Sequence, residues 1–369
     1  MSVGRRDFLK GSAAVAGVTA AGNFICFEIA NAAPITPPVV DKLTIRVLLD
    51  SAHDIFLRGQ EVNGVKAIRA RAAEDYRRTL HNQWGLSLLL ESEQGNNQRT
   101  SLLDFGYSPD ALLNNIEILK VDPSKISALI VSHGHFDHFG GLNGFLAKFR
   151  DKLPADIKLY AGGEDNFCHR VSRTPVEGQF TDFGTLDRRE IEQQRVPVVL
   201  AENPTVIGHS FTTGKIARTT FEKVIPNTLV EYAPKKDGLG CDATHYTPAE
   251  LQGKIVPDLH HHEHATVFNI KGKGLVVITS CGHAGILNTI KQAQKVSGVE
   301  KVHALVGGFH LAPAAPEYLA QAVAELKEVN PDVVIPMHCS GTNFVRAVQE
   351  QLPGKLILST TGTTIQFAA

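Results

Sequence analysis

The chain alternates between short apolar runs and amphipathic stretches, and the two periods predict two kinds of element. Residues 43–49 (LTIRVLL) predict a strand. Residues 84–91 (WGLSLLLE) and 100–105 (TSLLDF) predict two more, and the polar, glycine-containing segment 92–99 between them makes a hairpin. Leu112, Leu113, Ile116 and Leu119 recur at helical spacing in 108–120, with Pro109 suited to a first turn. Residues 126–132 (ISALIVS) predict a buried strand, followed by a helix at 143–149 and a strand at 157–161. The second half repeats the order: a hairpin of 266–270 and 275–280, a helix at 286–296 and a strand at 302–306. A helix at 316–329, a strand at 333–336, a helix at 343–351 and two closing segments at 356–359 and 364–367 complete it. Residues 162–257 are more polar and richer in Pro and Gly, and are read as loops and short elements inserted over a site. No short-period repeat is visible. The pattern predicts an α/β fold in which two β/α halves pack as a sandwich, helices outside and the site at the strand ends.

The first 32 residues are set apart from this pattern. Arg5 and Arg6 precede Phe8-Leu9-Lys10, a weakly apolar Ala/Gly-rich stretch runs over 11–27, and Ala30-Asn31-Ala32 offers a small-residue cleavage point before Pro34. Paired arginines in this setting resemble a twin-arginine export signal, so the expected mature domain is 33–369, located in the periplasm, with the twin-arginine export machinery as a partner. The apolar stretch is short and rich in Gly for a transmembrane helix, so no stable membrane insertion is expected. Ile25 before Cys26 is too bulky for a lipidation signal.

Composition changes the picture in two places. Of 369 residues, 43% are hydrophobic and 20% charged, with a net charge of −1, as expected of a soluble globular protein. Loss of the leader removes three basic and two acidic side chains, which brings the net charge to about −2. No basic stripe is present to bind nucleic acid. The histidine count of 16 is high, and many of them fall between His133 and His338. The five cysteines contain no C-x-x-C, which argues against a zinc ribbon or a thioredoxin-like motif, and whether Cys168 and Cys241 pair is left open.

The chemistry concentrates in SHGHFDHFGG, residues 132–141. A strand ending in a tight glycine-containing loop can turn His133 and His135 toward one ion, and Asp137 and His138 toward a neighbour. Neutral imidazoles and a carboxylate suit zinc, manganese or iron. Three histidines and an aspartate in six residues would be costly to bury without a metal, because their polar atoms would lack partners.

H-x-H-x-D-H after a strand resembles the signature of the metallo-β-lactamase superfamily, whose fold is an αββα sandwich. The flanking segments WGLSLLLES, LLDFGYSPDALLNN, GLVVITSCGHAGILNTI, VGGFHL and PMHCSG resemble the subgroup of metal-dependent hydrolases named for dihydropterin-6-methyl-aminobenzene ribofuranosyl phosphate synthase. The resemblance runs from about residue 43 to the C-terminus. It implies two divalent ions, with zinc as first choice and manganese or iron as alternatives. Asp104, in LLDF, is implied as the acceptor that orients a metal ligand, and His338, in PMHC, as a ligand of the second metal. Where many members carry a bridging aspartate, this chain has Ser280-Cys281, with His283 two residues on. His283 is taken as the ligand and Cys281 as a supporting group, with Cys281 as ligand the alternative. The middle histidine is sought in LHHHEH. Alternation puts His262 and His264 on one face, and His264 is chosen, with His262 and His209 as rivals.

His310, between a strand and a helix in GGFHL, is read as touching substrate or protonating a leaving group, beside Asp137 orienting a water. Arg170, Arg173 and Arg218, each read singly as a surface residue, are also able to meet an anionic substrate. The expected activity is metal-assisted hydrolysis of a small-molecule ester, lactone or phosphoester. The alternative is iron-dependent thiol or oxygen chemistry on the same fold, and a non-catalytic binding protein fits poorly with so full a ligand set.

Overall fold

Strand alternation decides the layers. In Lys42–Leu49, Leu43, Ile45 and Val47 face a central core while Leu48 faces an outer one. Ser87–Gln94, Asn97–Leu103 and Ile126–Val131 divide in the same way: Leu88, Leu90, Leu103 and Ile130 lie in the centre, and Leu89, Leu102, Leu129 and Val131 lie outside. Thr266–Ile270, Gly274–Thr279, Val302–Gly308 and Val333–Met337 supply the facing half of the central core, through Phe268, Ile278, Val306 and Ile335. Both faces of each sheet are therefore apolar, and each must be covered. Full burial of each large side chain stabilises by roughly 1.5–3 kcal/mol.

The computed structural model describes residues 34–369 except 71–74, 76, 226–227, 233, 236 and 254. The expected leader, with Arg5, Arg6, Cys26 and the cleavage point after Ala32, lies outside the described residues. Nine strands form the first sheet, in the order Val198–Leu200, Leu159–Ala161, Ile126–Val131, Asn97–Leu103, Ser87–Gln94, Lys42–Leu49, Thr364–Ala368, Val65–Ile68 and Gln60–Val62. The second sheet runs Val206–Ile207, Ser210–Thr212, Thr266–Ile270, Gly274–Thr279, Val302–Gly308 and Val333–Met337, and Val39–Val40 pairs with Thr266–Ile270. Pro109–Ile118 and Leu142–Phe149 cover the first sheet, and Ile286–Ser297, Pro316–Val329 and Thr342–Gln351 the second. The layers are helix, sheet, sheet, helix, as the two-half pattern and the resemblance both predict. No helix among the described residues is long and apolar enough to cross a membrane.

Three details refine the sequence expectation. Trp84 precedes its strand and is 56% exposed, because Gly85 turns the chain at φ 135 before the ladder begins at Ser87. Of the two closing segments, 356–359 contributes only an isolated bridge from Leu356 to Val334. Residues 162–257 are loops and short elements, as expected, but the short elements join different sheets. The apolar run Val198–Leu200 extends the first sheet, the hairpin Val206–Ile207/Ser210–Thr212 extends the second, and Phe180–Gly184, His169–Arg173, Leu229–Glu231 and Ile255–Pro257 form a separate four-stranded sheet. A Cys168–Cys241 disulfide ties this small sheet, packed with Val230, Tyr232 and Tyr246.

The parallel strands Asn97–Leu103, Ile126–Val131, Gly274–Thr279, Val302–Gly308 and Val333–Met337 all end on one edge of the sandwich. The loops that follow them carry Asp104, the histidine motif, Cys281, His310 and His338.

Candidate metal centre

The histidine motif leaves the sheet at Val131 and is fixed by a buried carboxylate. Asp104 accepts the Ser132 backbone N–H at 2.8 Å and the Ser132 hydroxyl at 2.7 Å, and lies 2.8 Å from His138 Nδ1. That contact makes His138 Nδ1 the protonated nitrogen and turns Nε2 inward with a free lone pair. Ser132 Oγ holds His133 Nδ1 at 2.9 Å in the same way, leaving His133 Nε2 buried and unpartnered. His135 Nε2 lies 2.9 Å from Thr228 Oγ1, the residue just before the small-sheet strand Leu229–Glu231. The short helix Phe136–Phe139 then presents Asp137 and His138 together. The Asp137 backbone lies so close to Gly85 that a Cβ there would sit 2.3 Å from the Asp137 carbonyl oxygen.

The histidine tract behaves differently from the expected extended segment. His260 takes φ 50, its N–H is accepted by Asp258 Oδ1 at 2.9 Å, and a turn follows. The alternation that paired His262 with His264 is thereby broken, and His260 is the histidine brought into the centre, grouped with His135 and His283. His264 is not in it: its Nε2 donates to the Val131 carbonyl at 2.9 Å. His262 Nε2 accepts the Gly134 N–H at 2.9 Å. Glu263 accepts the N–H groups of His283 at 2.9 Å and Ala284 at 2.6 Å. The tract is thus a brace that supplies one candidate ligand and clamps the two loops carrying the others. His209 lies well away, 3.1 Å from Ser92 Oγ, five residues along the strand from its site end.

Among the described residues four overlapping groups of donors result, each with its atoms within 4.8 Å of one another: His135, His260 and His283; His133, Cys281 and His283; His138, Cys281 and His338; Cys281, His310 and Cys339. Asp137 Oδ2 lies 3.3 Å from His338 Nε2 and 3.7 Å from His138 Nε2, and Asp137 Oδ1 is buried without a partner. Both ring nitrogens of His260, His283 and His310 are also buried and unpartnered. Six of the seven predicted ligands meet here, His264 being the exception, and Asp104, Cys281 and His310 stand beside them. Asp104, His260, His310 and His338 all take positive φ, an uncommon conformation whose strain of roughly 1–3 kcal/mol each the packing must hold.

The electrostatics suit a cation. Burial holds His133, His135 and His283 well below the ordinary imidazole value, and His260 falls to about 4, so these rings are neutral donors. Burial opposes charge on Asp137, but His138, His338 and His135 outweigh it and keep the carboxylate ionised. Burial also opposes charge on His338, but Cys339, Asp137 and Asp50 raise it to about 9, so this corner calls for positive charge. Burial pushes the Cys281 thiol up, while Cys339, beside Cys281, His338 and His310, is held down despite its own burial.

Several supporting residues escaped the sequence reading. Asp50 Oδ1 accepts the His338 N–H at 2.8 Å, and Ser51 Oγ lies 3.0 Å from His338 Nδ1. The signal was available, since Asp50 ends VLLD as Asp104 ends SLLD. Arg170, read as a surface residue, is fully buried, with Nε 2.6 Å from Asp258 Oδ2 and Nη2 donating to the Asp165 carbonyl at 2.7 Å. Its partner is 88 residues away in sequence. Arg173 is exposed, and Arg218 donates to the Leu259 carbonyl.

Residues 85–215 match the metallo-beta-lactamase superfamily, and residues 2–22 match the twin-arginine translocation pathway signal sequence. Over 309 residues the chain is 28% identical to 7,8-dihydropterin-6-methyl-4-(beta-D-ribofuranosyl)-aminobenzene-5'-phosphate synthase of Methanocaldococcus jannaschii, covering 80% of this chain and 95% of that protein. It is 26% identical over 268 residues to an uncharacterized protein of the same organism, covering 70% and 84%. The crystal structure of Tm1679, a metal-dependent hydrolase of the beta-lactamase superfamily, superposes with a TM-score of 0.63 at 21% identity, over 89% of this chain and 100% of that one, and this likeness supports the fold. Taken with the layered sandwich and the converging histidines, these findings show a metallo-beta-lactamase fold, with a metallo-beta-lactamase superfamily match over residues 85–215 and a twin-arginine signal-sequence match at the N-terminus.

Proposed function

We propose that this chain is an exported metal-dependent hydrolase that works in the periplasm on a small-molecule ester, lactone or phosphoester. The observation that carries the reading is the set of buried, unpartnered donor atoms on His133, His260 and His283, grouped across the strand-end loops, with the unpartnered Asp137 Oδ1 on the carboxylate beside His138 and His338. Leaving such atoms without partners costs roughly 1–3 kcal/mol each, so a fold that retains them has a use for them. His133, His135, His260 and His283 would hold one divalent ion, and Asp137, His138, His338 and Cys281 its neighbour, with zinc the first choice. Ions held there would supply Lewis acidity and lower the pKa of water toward neutrality.

The chain's own residues prepare the reaction. Asp104, Ser132, Thr228 and Ser51 each hold the outward nitrogen of an imidazole and so fix which nitrogen faces the centre. Asp137 Oδ1, ionised and unpartnered, is positioned to orient a water and accept its proton. His310, its ring centroid 4.3 Å from that of His283, lines a cleft with Tyr318 and Lys223 and is placed to give a proton to a leaving group. The exposed Lys223 at that cleft suits an anionic substrate. The archaeal relative's name describes the product of a synthase, a phosphate ester with an aromatic amine, and this directs the first substrate screen toward phosphorylated aromatic compounds.

Elemental analysis of protein exported through its own signal is expected to find about two divalent ions per chain. Chelation is expected to abolish hydrolysis, and added zinc to restore it. Activity that survives in the doubly substituted His133→Ala/Asp137→Ala protein would refute the assignment.

A further inference from the structure

The loop that leaves the strand at Thr279 carries no carboxylate to set between two ions: Ser280, Cys281 and Gly282 follow. Glu263 reaches that loop, but both of its oxygens are committed to the N–H groups of His283 and Ala284. Asp137 belongs to one side, beside His138 and His338. Cys281, by contrast, is common to three of the four donor groups. Its sulfur lies within 4.8 Å of the donor atoms of His133 and His283 on one side and of His138 and His338 on the other. The sulfur is 3.3 Å from His138 Nε2. His133 Nε2 and both nitrogens of His283 are buried and otherwise unpartnered, so donors on the far side of the sulfur also await an occupant.

We infer that the Cys281 thiolate is the shared anion of the two metal positions, so that the centre takes thiophilic divalent ions of the zinc type in preference to the oxygen-seeking magnesium and manganese. This rests on the two-metal reading above. Cys339 acts as a positioning residue. Its sulfur is 3.3 Å from that of Cys281 and accepts the His310 N–H at 3.2 Å, which anchors it to the loop after Val302–Gly308 and sets the sulfur behind Cys281. It belongs to no group with His138 or His338, so it supports the bridging sulfur without reaching the second ion.

Cobalt(II) titrated into the metal-free full-length protein tests this. Sulfur ligation gives a near-ultraviolet charge-transfer band, while the visible bands report nitrogen-bound ions whether or not sulfur is present. The band is expected to grow through both equivalents in the wild type and to persist in Cys339→Ser. In Cys281→Ser it is expected to vanish while visible bands remain, with affinity for the second ion at least tenfold weaker. Cys281→Asp is expected to bind two ions again without the band. Circular dichroism of the metal-free variants checks that they fold. A wild-type band complete at the first equivalent, or one abolished only by Cys339→Ser, would overturn the bridging assignment. So would visible bands with no sulfur band, which would leave the two-metal reading standing. Failure to bind cobalt at all would instead defeat the metal reading itself.

Discussion

Replacing Asp104 by Asn isolates the effect of one proton. The carboxylate is fully buried and acts only as an acceptor, toward the Ser132 N–H, the Ser132 hydroxyl and His138 Nδ1, all within 2.7–2.8 Å. An amide has nearly the same shape but one acceptor and one donor end. With its NH₂ toward His138, Nδ1 must lose its proton, which moves to Nε2, the atom that faces His338 and Cys281. With the amide flipped, its NH₂ meets the Ser132 N–H, two donors face to face. Either arrangement leaves a conflict, worth roughly 1–3 kcal/mol for one buried unsatisfied group. Loss of such an orienting partner weakens metal binding by about 10–100-fold, equivalent to about 1.4–2.8 kcal/mol at about 1.4 kcal/mol per tenfold. The assay is competition between the protein and a chelator for cobalt(II). Occupancy is followed by quenching of the chain's single tryptophan, Trp84, whose ring centroid lies 4.8 Å from that of His338. A folded Asp104→Asn protein that binds cobalt within about twofold of the wild type would refute the tautomer argument.

Two further outcomes follow from parts of the structure outside the centre. Cys168 and Cys241 are 73 residues apart, and a cross-link of that span stabilises by about 4 kcal/mol on the chain-entropy account. Cys168→Ser/Cys241→Ser is therefore expected to lower the denaturant midpoint and, because Thr228 and Asp258 flank the small sheet, to speed metal loss to a chelator; an unchanged midpoint would contradict this. Burial raises Glu222 above its ordinary value of 4.5, although it accepts the Leu287 and Asn288 N–H groups at the start of Ile286–Ser297. A raised folded-state value means that its contribution is fully present below about pH 4.5 and is lost as pH rises through the folded value. Glu222→Gln, which keeps an acceptor and cannot ionise, should flatten that loss, measured as the difference in urea midpoint between pH 4.5 and 7.5. An equal pH dependence in both proteins would show that Glu222 contributes nothing to it.

Sequence alone determined the layers and the heart of the site. Strand alternation with both faces apolar, helices between, and a histidine motif directly after a buried strand are local patterns, and local periodicity specifies which face each side chain takes. His133, His135, Asp137 and His138 were legible because their spacing is itself the chemistry. The tertiary structure decided what depends on a single backbone angle or on distant partners. The turn at His260 reverses the alternation, so His260 enters the centre while His264 turns back to Val131, and no spacing rule encodes that φ. Arg170 looked like a surface cation because its buried partner Asp258 is 88 residues away. Cys281 looked like a small supporting residue. Its place between two sets of donors exists only once loops from both sheets meet at the same edge, since a position shared by two donor sets is a property of three-dimensional convergence.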